Sequence, residues 1–264
     1  MKIGCFVLDA EREQLGNVHG APWVVWYAVA IMTMIGNNLQ RVHARMAAAC
    51  ADAGRAAADV QLLAVSKTFD ADAVREAAAA GQTAFGENYI QEAVAKIQAL
   101  QGLGLVWHCI GPVQSNKSRL VAEHFDWVHT VDRLKLAERL SAQRPAHLPP
   151  LNVCIQANID GGATKSGVAP ADVAALAQAV VGLPGLRLRG LMTIPDIAPD
   201  FAAQCAVHTD AKTLFDAVKE TLGAAPDFDT LSMGMSADLE AAIHCGSTLV
   251  RVGTAIFGGR GKAH

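Results

Sequence analysis

Leu62-Leu63-Ala64-Val65-Ser66-Lys67 is a short apolar run that closes on a lysine, and the polar break Thr68-Phe69-Asp70 follows at once. A run this short and apolar predicts a strand buried on both faces, of the kind found in parallel sheets. Lys67 then stands where the strand emerges. A charged amine is costly to bury there, whereas a neutral amine is a nucleophile that condenses with carbonyl groups. An ordinary lysine is almost wholly protonated at neutral pH, and desolvation is the usual way to free the amine. Taken alone, the same run also fits a surface lysine that lays its stem over a core strand. The rest of the chain decides between them.

Outward from that strand, strand-like and helix-like segments alternate. The pattern predicts strands over Leu62–Lys67, Thr83–Gly86, Val106–Gly111, Trp127–Val131, Asn152–Ile159, Leu186–Ile194, Thr230–Met235 and Thr248–Gly258. Helical stretches fall between them over Ala71–Ala80, Ile90–Leu100, Arg133–Ala142, Ala171–Val181, Ala202–Leu222 and Leu239–Cys245, with a weaker helix at Ser115–His124. A leading amphipathic helix over Asn37–Arg55 carries Leu39, Val42, Met46 and Cys50 at helical spacing. Eight strands, each followed by a helix or leading to the end, predict a single (β/α)8 TIM barrel, and 264 residues suit a fold of about 250. A doubly wound sheet is the rival. It would carry a Gly-rich dinucleotide turn after its first strand, which Val65-Ser66-Lys67-Thr68 is not.

Composition narrows the function. Hydrophobic residues make up 52% and aromatic residues 5%, because alanine dominates, as suits helices packed on a sheet. A net charge of −3 with no basic stripe excludes nucleic-acid binding by bulk electrostatics. Six cysteines lie far apart in sequence with no CxxC pair, which predicts free thiols in a reducing cytoplasm. Neither they nor the nine histidines show zinc-ligand spacing, so no metal is expected. The first 33 residues stand apart. Ala21 to Ile35 is nearly pure apolar sequence, too short to span a bilayer, and acidic residues before it argue against a secretory signal. Residues 1–33 are read as an atypical extension upstream of a natural start at Met32 or Met34, with a membrane-associating anchor or a packed extra element as alternatives.

A barrel keeps its reactive residues at the C-terminal ends of its strands, often with a phosphate site after strands seven and eight. Strand seven runs into Ser232-Met233-Gly234-Met235-Ser236 before a helix opens. Ser236 is placed either to donate to an anion beside helix N-terminal amides or simply to cap that helix. Strand eight contains Arg251, which cannot shed its charge and needs a buried acceptor, for instance a barrel carboxylate. Gly253 allows close backbone approach, and the Gly253 and Thr254 amides are placed to cradle phosphate oxygens. A Schiff-base lysine, a phosphate cradle and a buried arginine together describe a pyridoxal phosphate pocket. His108 reads as a hydrogen-bonded structural histidine more than a pocket residue. Lys117 and Lys165 read as solvated loop lysines, although either could form a second aldehyde or phosphate contact. Met192, Met233 and Met235 read as barrel packing.

Seven stretches carry a family resemblance: LLAVSKT (62–68), FGENYIQEA (85–93), WHCIGPVQSNK (107–117), TKSG (164–167), RGLMTIP (189–195), LSMGMSADLEAAI (231–243) and GSTLVRVGTAIFG (246–258). Through them the chain closely resembles the YggS/PROSC family of pyridoxal phosphate homeostasis proteins, from about residue 34 to Gly258. The resemblance implies an alanine-racemase-like barrel over 34–264 that binds pyridoxal 5′-phosphate, with Lys67 as its internal aldimine. It further implies Arg251 at the pyridine nitrogen, Ser236 and the Gly253 and Thr254 amides on the phosphate, and Asn88 facing the ring. Val113 is a conservative departure from the family pattern, and the N-terminal extension is the one large departure.

Carbanion chemistry on this cofactor also needs a positioned acid/base. Full-length racemases of similar fold carry a second, β-rich domain and use a tyrosine as one of two bases. Here only six residues follow Gly258, and of the two tyrosines Tyr27 lies in the extension while Tyr89 is read as ordering its loop. The expectation is therefore a monomeric cytoplasmic protein that holds the aldehyde, which the resemblance implies it buffers and passes to apo-enzymes, with no nucleic-acid partner and, unless residues 21–35 form an anchor, no membrane partner. The alternatives are a single-domain pyridoxal phosphate-dependent racemase or lyase, or a phosphosugar barrel enzyme using the Lys67 amine.

Overall fold

The computed structural model describes residues 33–161, 166–196, 198–223 and 227–259. The expected extension, but for Thr33, and Lys165 lie outside them. Strand β1 (Gln61–Val65) is buried at every position but its first, because helices cover one face and barrel-filling side chains the other. It pairs in parallel with β8 (Leu249–Val252), Leu63 opposite Arg251, and with β2 (Ala84–Glu87), Val65 opposite Gly86. β3 (Val106–Cys109), β4 (Trp127–Val131), β5 (Leu151–Ala157), β6 (Leu186–Thr193) and β7 (Thr230–Ser232) complete a closed barrel in sequence order. This is the predicted (β/α)8 fold.

The helices follow the predicted alternation: α1 (Met34–Asp52) leads, then α2 (Ala71–Ala79), α3 (Ile90–Ala99), α4 (Ser118–His124), α5 (Leu134–Gln143), α6 (Pro170–Val181), α7 (Phe201–Leu222), α8 (Leu239–His244) and α9 (Thr254–Phe257). In α1 the predicted stripe Leu39, Val42, Met46 and Cys50 is buried, each side chain contributing roughly 1.5–3 kcal/mol where fully apolar. Thr33 caps it by accepting from the Gly36 amide at 3.1 Å. Asn38 Nδ2 donates to Ile256 O at 2.9 Å, tying α1 to α9.

Several boundaries differ from the sequence reading by one to three residues, α1 and α4 among them, and three at the C-terminal rim bear on the site. β1 stops at Val65, so Lys67 sits in the following turn and not on the strand. β7 stops at Ser232, because Gly234 takes φ +90, where an added Cβ would lie 2.4 Å from Ala242 Cβ. β8 stops at Val252, and the apolar run after it coils into α9 with Ile256 and Phe257 buried. A short apolar run carries no period that separates strand from helix. The cysteines far apart in sequence are also not all apart in space: Cys245 Sγ lies 3.4 Å from Cys205 O between α8 and α7. All five described cysteines are free thiols.

Candidate functional site

At the C-terminal ends of β1, β7 and β8 a cavity of about 240 Å³ is lined by Lys67 and Thr68, by Met235 and Ser236, and by Gly253 and Thr254. Four residues singled out from the sequence, Lys67, Ser236, Gly253 and Thr254, thus meet in one place. Lys67 makes no hydrogen bond or ion pair among the described residues. Its neighbour Thr68 takes φ 69, the left-handed region, and is the only described non-glycine residue to do so. For a β-branched side chain that conformation costs about 1–3 kcal/mol and persists only where surroundings enforce it. Met235, read as packing, is instead part of the cavity wall.

The turn that carries Ser236 is built by side chains from three helices. Asp238, not Ser236, is the N-cap residue of α8, so the capping role considered for Ser236 does not apply. Asp238 Oδ1 accepts from the Met235 amide at 2.7 Å and Oδ2 from His208 Nε2 at 3.0 Å. Burial alone would raise the Asp238 carboxyl; the bonds from His208 and Met235 and the nearby Arg251 charge outweigh it and hold it below its ordinary value. Arg45 of α1 donates to Ser236 O at 3.2 Å while pairing with Glu240. Gly253 lies against β1: an added Cβ would meet Val65 O at 3.1 Å. The first amides of α9 have no intrahelical acceptor and are available to an anion.

Arg251 does not line the cavity; it is 4% exposed within the barrel. No carboxylate pairs with it. Nη1 donates to Ser232 O and Oγ at 2.7 and 2.8 Å, and Nη2 to Thr193 O at 2.8 Å. These bonds leave Nε and one Nη2 hydrogen free for a further acceptor. Burial lowers its pKa to about 10, so it stays charged at neutral pH. The Ser232 hydroxyl continues a polar chain across the barrel, with His129 Nδ1 at 3.0 Å and His129 Nε2 at 2.9 Å from His108 Nδ1. Burial drives His108 down to about 3; burial, then His108 and Arg251, hold His129 well below its ordinary value. Both rings are therefore neutral. Arg251 can only donate, so the chain leaves fewest groups unsatisfied when Ser232 donates to His129 and His129 to His108. His108 is hydrogen-bonded through Nδ1, as the sequence reading favoured, while its Nε2 is buried without a partner.

Asn88 also stands outside the cavity wall, just past β2, but its Oδ1 is buried without a partner, as is Thr193 Oγ1 at the end of β6. Glu87 Oε2, His108 Nε2 and His208 Nδ1 are also buried without a partner, so these two oxygens count for the site only because they lie at the strand ends beside it. Two unpartnered side-chain oxygens, spare guanidinium hydrogens, open helix amides and an unpaired lysine are a donor and acceptor set that fits pyridoxal phosphate. Other residues play smaller parts. Tyr89 is 52% exposed at the start of α3. Lys117 precedes α4 with no side-chain partner among the described residues. Burial pushes the Cys109 and Cys154 thiols up to about 12, which makes them inert.

The sequence reading missed one cluster. Glu87, which ends β2 and is fully buried, is ion-paired with Lys96 of α3, which is 7% exposed. Glu87 Oε1 also accepts from Ser66 Oγ at 2.6 Å, and Lys96 Nζ donates to Ser66 O and Phe69 O, each at 2.9 Å. The only signal was a glutamate in an otherwise buried strand, within the FGENYIQEA stretch that drew attention to Asn88 instead.

Residues 38–261 match the family described as alanine racemase, N-terminal domain. The pyridoxal phosphate homeostasis protein of Pseudomonas aeruginosa is 58% identical over 229 residues, 87% of this chain and 97% of that protein. The protein of the same name from Escherichia coli K12 is 54% identical over 232 residues, 87% and 98% of the two chains. Among solved structures, PipY of Synechococcus elongatus with PLP bound is similar at a TM-score of 0.73 and 38% identity, over 85% of this chain and 100% of that one. Alanine racemase of Corynebacterium glutamicum shares the fold at a TM-score of 0.61 and 18% identity, over 85% of this chain and 60% of its own.

Proposed function

We propose, from the premise that the chain belongs to the pyridoxal phosphate homeostasis protein family built on the alanine racemase N-terminal domain, that it holds pyridoxal 5′-phosphate covalently and reversibly at Lys67. Its role on this reading is to keep a reactive aldehyde bound and to pass it to apo-enzymes. The observation that carries the site assignment is the meeting of Lys67 with Ser236, Gly253 and Thr254 around one cavity. When bound, the cofactor supplies an aldehyde that the amine captures as a carbon–nitrogen double bond with loss of one water.

The chain's own residues divide the remaining work. Lys67 provides the nucleophile, free of competing partners. Ser236 and the opening amides of α9 hold the phosphate, on a turn braced by Asp238 and Arg45. Arg251 would give its spare hydrogens to the pyridine nitrogen, and Asn88 would face the ring. Among the described residues lining the cavity there is no Tyr, His, Asp, Glu or Cys to act as a second acid/base. This supports carriage over turnover, and over the racemase or lyase alternative. The five described cysteines, all free thiols, support a reducing, cytoplasmic setting, and no described helix is long and apolar enough to cross a membrane. The carrier is proposed to act as a monomer.

Absorbance spectroscopy with borohydride fixation and peptide mass mapping tests the site. Wild-type protein should give a visible-edge band and a fixed adduct on the peptide containing Lys67. Lys67→Ala should lose both. A Lys67→Ala protein with an unchanged band would overturn the assignment, and steady turnover of amino acids by purified protein would overturn the carrier reading.

A further inference from the structure

The turn that carries Lys67 is held from behind. Lys96 reaches from α3 with three donors and meets three acceptors: the Ser66 carbonyl, the Phe69 carbonyl and the Glu87 carboxylate. The two carbonyls bracket Lys67 and Thr68 on either side. Ser66, immediately before Lys67, is fastened a second time through its hydroxyl to Glu87 Oε1. The turn closes on itself through the Phe69 amide and Ser66 O at 3.1 Å. Within it Thr68 takes φ 69.

An unpaired flexible ammonium beside two inward carbonyls would fold back onto them. Lys67 has those carbonyls within its own turn, but Ser66 O is filled by the Phe69 amide and Lys96 Nζ, and Phe69 O already accepts the Lys96 charge. A carboxylate at the same place would anchor Lys67 as an ion pair, and Lys96 neutralises the one that is there. Lys96 itself has no hydrogen left to exchange and is buried away from the cavity, so it does not compete for an aldehyde.

We propose that Lys96, anchored by Glu87, is a positioning residue for Lys67. It enforces the strained turn and occupies the turn's carbonyls, leaving the Lys67 amine without a partner at the cavity. This rests on the reading that Lys67 captures the aldehyde.

Lys96→Met alone strands a buried carboxylate and is expected to fold poorly, so the test uses the double variant Lys96→Met/Glu87→Gln in the full chain. Removing both partners of a buried pair is often close to neutral for stability. Three quantities are measured: the melting temperature, the rate of covalent capture of pyridoxal phosphate, and the affinity for 4′-deoxypyridoxine 5′-phosphate, which lacks the aldehyde. The double variant should melt near wild type, bind the analogue as wild type does, and capture the aldehyde about tenfold more slowly or worse. Capture at the wild-type rate, or parallel loss of melting temperature, analogue binding and capture, overturns the proposal. Borohydride fixation of wild-type protein on a peptide without Lys67 would sink the carrier reading, and this inference with it. Unchanged capture by a folded double variant sinks the inference alone.

Discussion

Thr68 makes no side-chain hydrogen bond among the described residues, yet it holds φ 69 against its own branched side chain. Asparagine tolerates that region far better. Thr68→Asn should therefore raise stability by about 1 kcal/mol, seen as a melting temperature higher by roughly 2–4 °C for a domain of this size. A lower melting temperature would show that the strain is not where the backbone places it. Lys67, Ser236, Gly253 and Thr254 were legible as individual residues, because each is unusual for its local sequence: a lysine closing an apolar run, or small residues where a strand gives way to a helix. Arg251 was legible as buried, but its acceptors were not. Two are main-chain carbonyls on other strands and one is the Ser232 hydroxyl, and such neighbours exist only once the barrel closes.

Elements fix the geometry of the phosphate turn. Asp238, the N-cap residue of α8, holds the Met235 amide and His208 of α7 with a carboxyl below its ordinary value. A carboxyl lowered in the folded state stabilises the fold at every pH above its unfolded value, near 3.9. That contribution is lost as pH falls through the lower folded value. Asp238→Asn should thus cost stability at neutral pH, with the deficit shrinking below about pH 4; denaturant melts of both proteins across acidic pH check it. Glu87 behaves in the opposite sense, because burial, its largest influence, raises it despite Lys96. Element identity was largely legible: Trp127–Val131 matches β4, and the predicted helix over Ala202–Leu222 differs from α7 by one residue. The exception was the end of β8. Gly253 and the α9 run look strand-like by hydrophobicity, and only packing on β1 and α1 decides that the chain coils there.

At the scale of the molecule, α1 covers α8 and α9 through Arg45 and Asn38, so it belongs to the barrel that positions the site. A chain beginning at Met32 should fold and capture the cofactor as the full chain does. One beginning at Met34 loses the Thr33 cap and should be less stable by about 1 kcal/mol. Equal denaturation midpoints for the two shortened chains would remove that role for Thr33. The order of strands and helices was written in the sequence, and the missing Gly-rich turn after β1 favoured closure over a doubly wound sheet, since both folds cover the two faces of a parallel sheet with helices. The rim where the chemistry gathers was legible as a place in the order of elements, but the ends of β1, β7 and β8 there were not, because short apolar runs carry no period that fixes where a strand stops. Only the tertiary structure decided which buried charges meet. Glu87 and Lys96 lie on different elements, and the atoms that Lys96 holds, Ser66 O and Phe69 O, sit on a third segment. A side chain's hydrophobicity says whether it is buried; its partner is set by the register and curvature of strands distant in sequence, which no local pattern encodes.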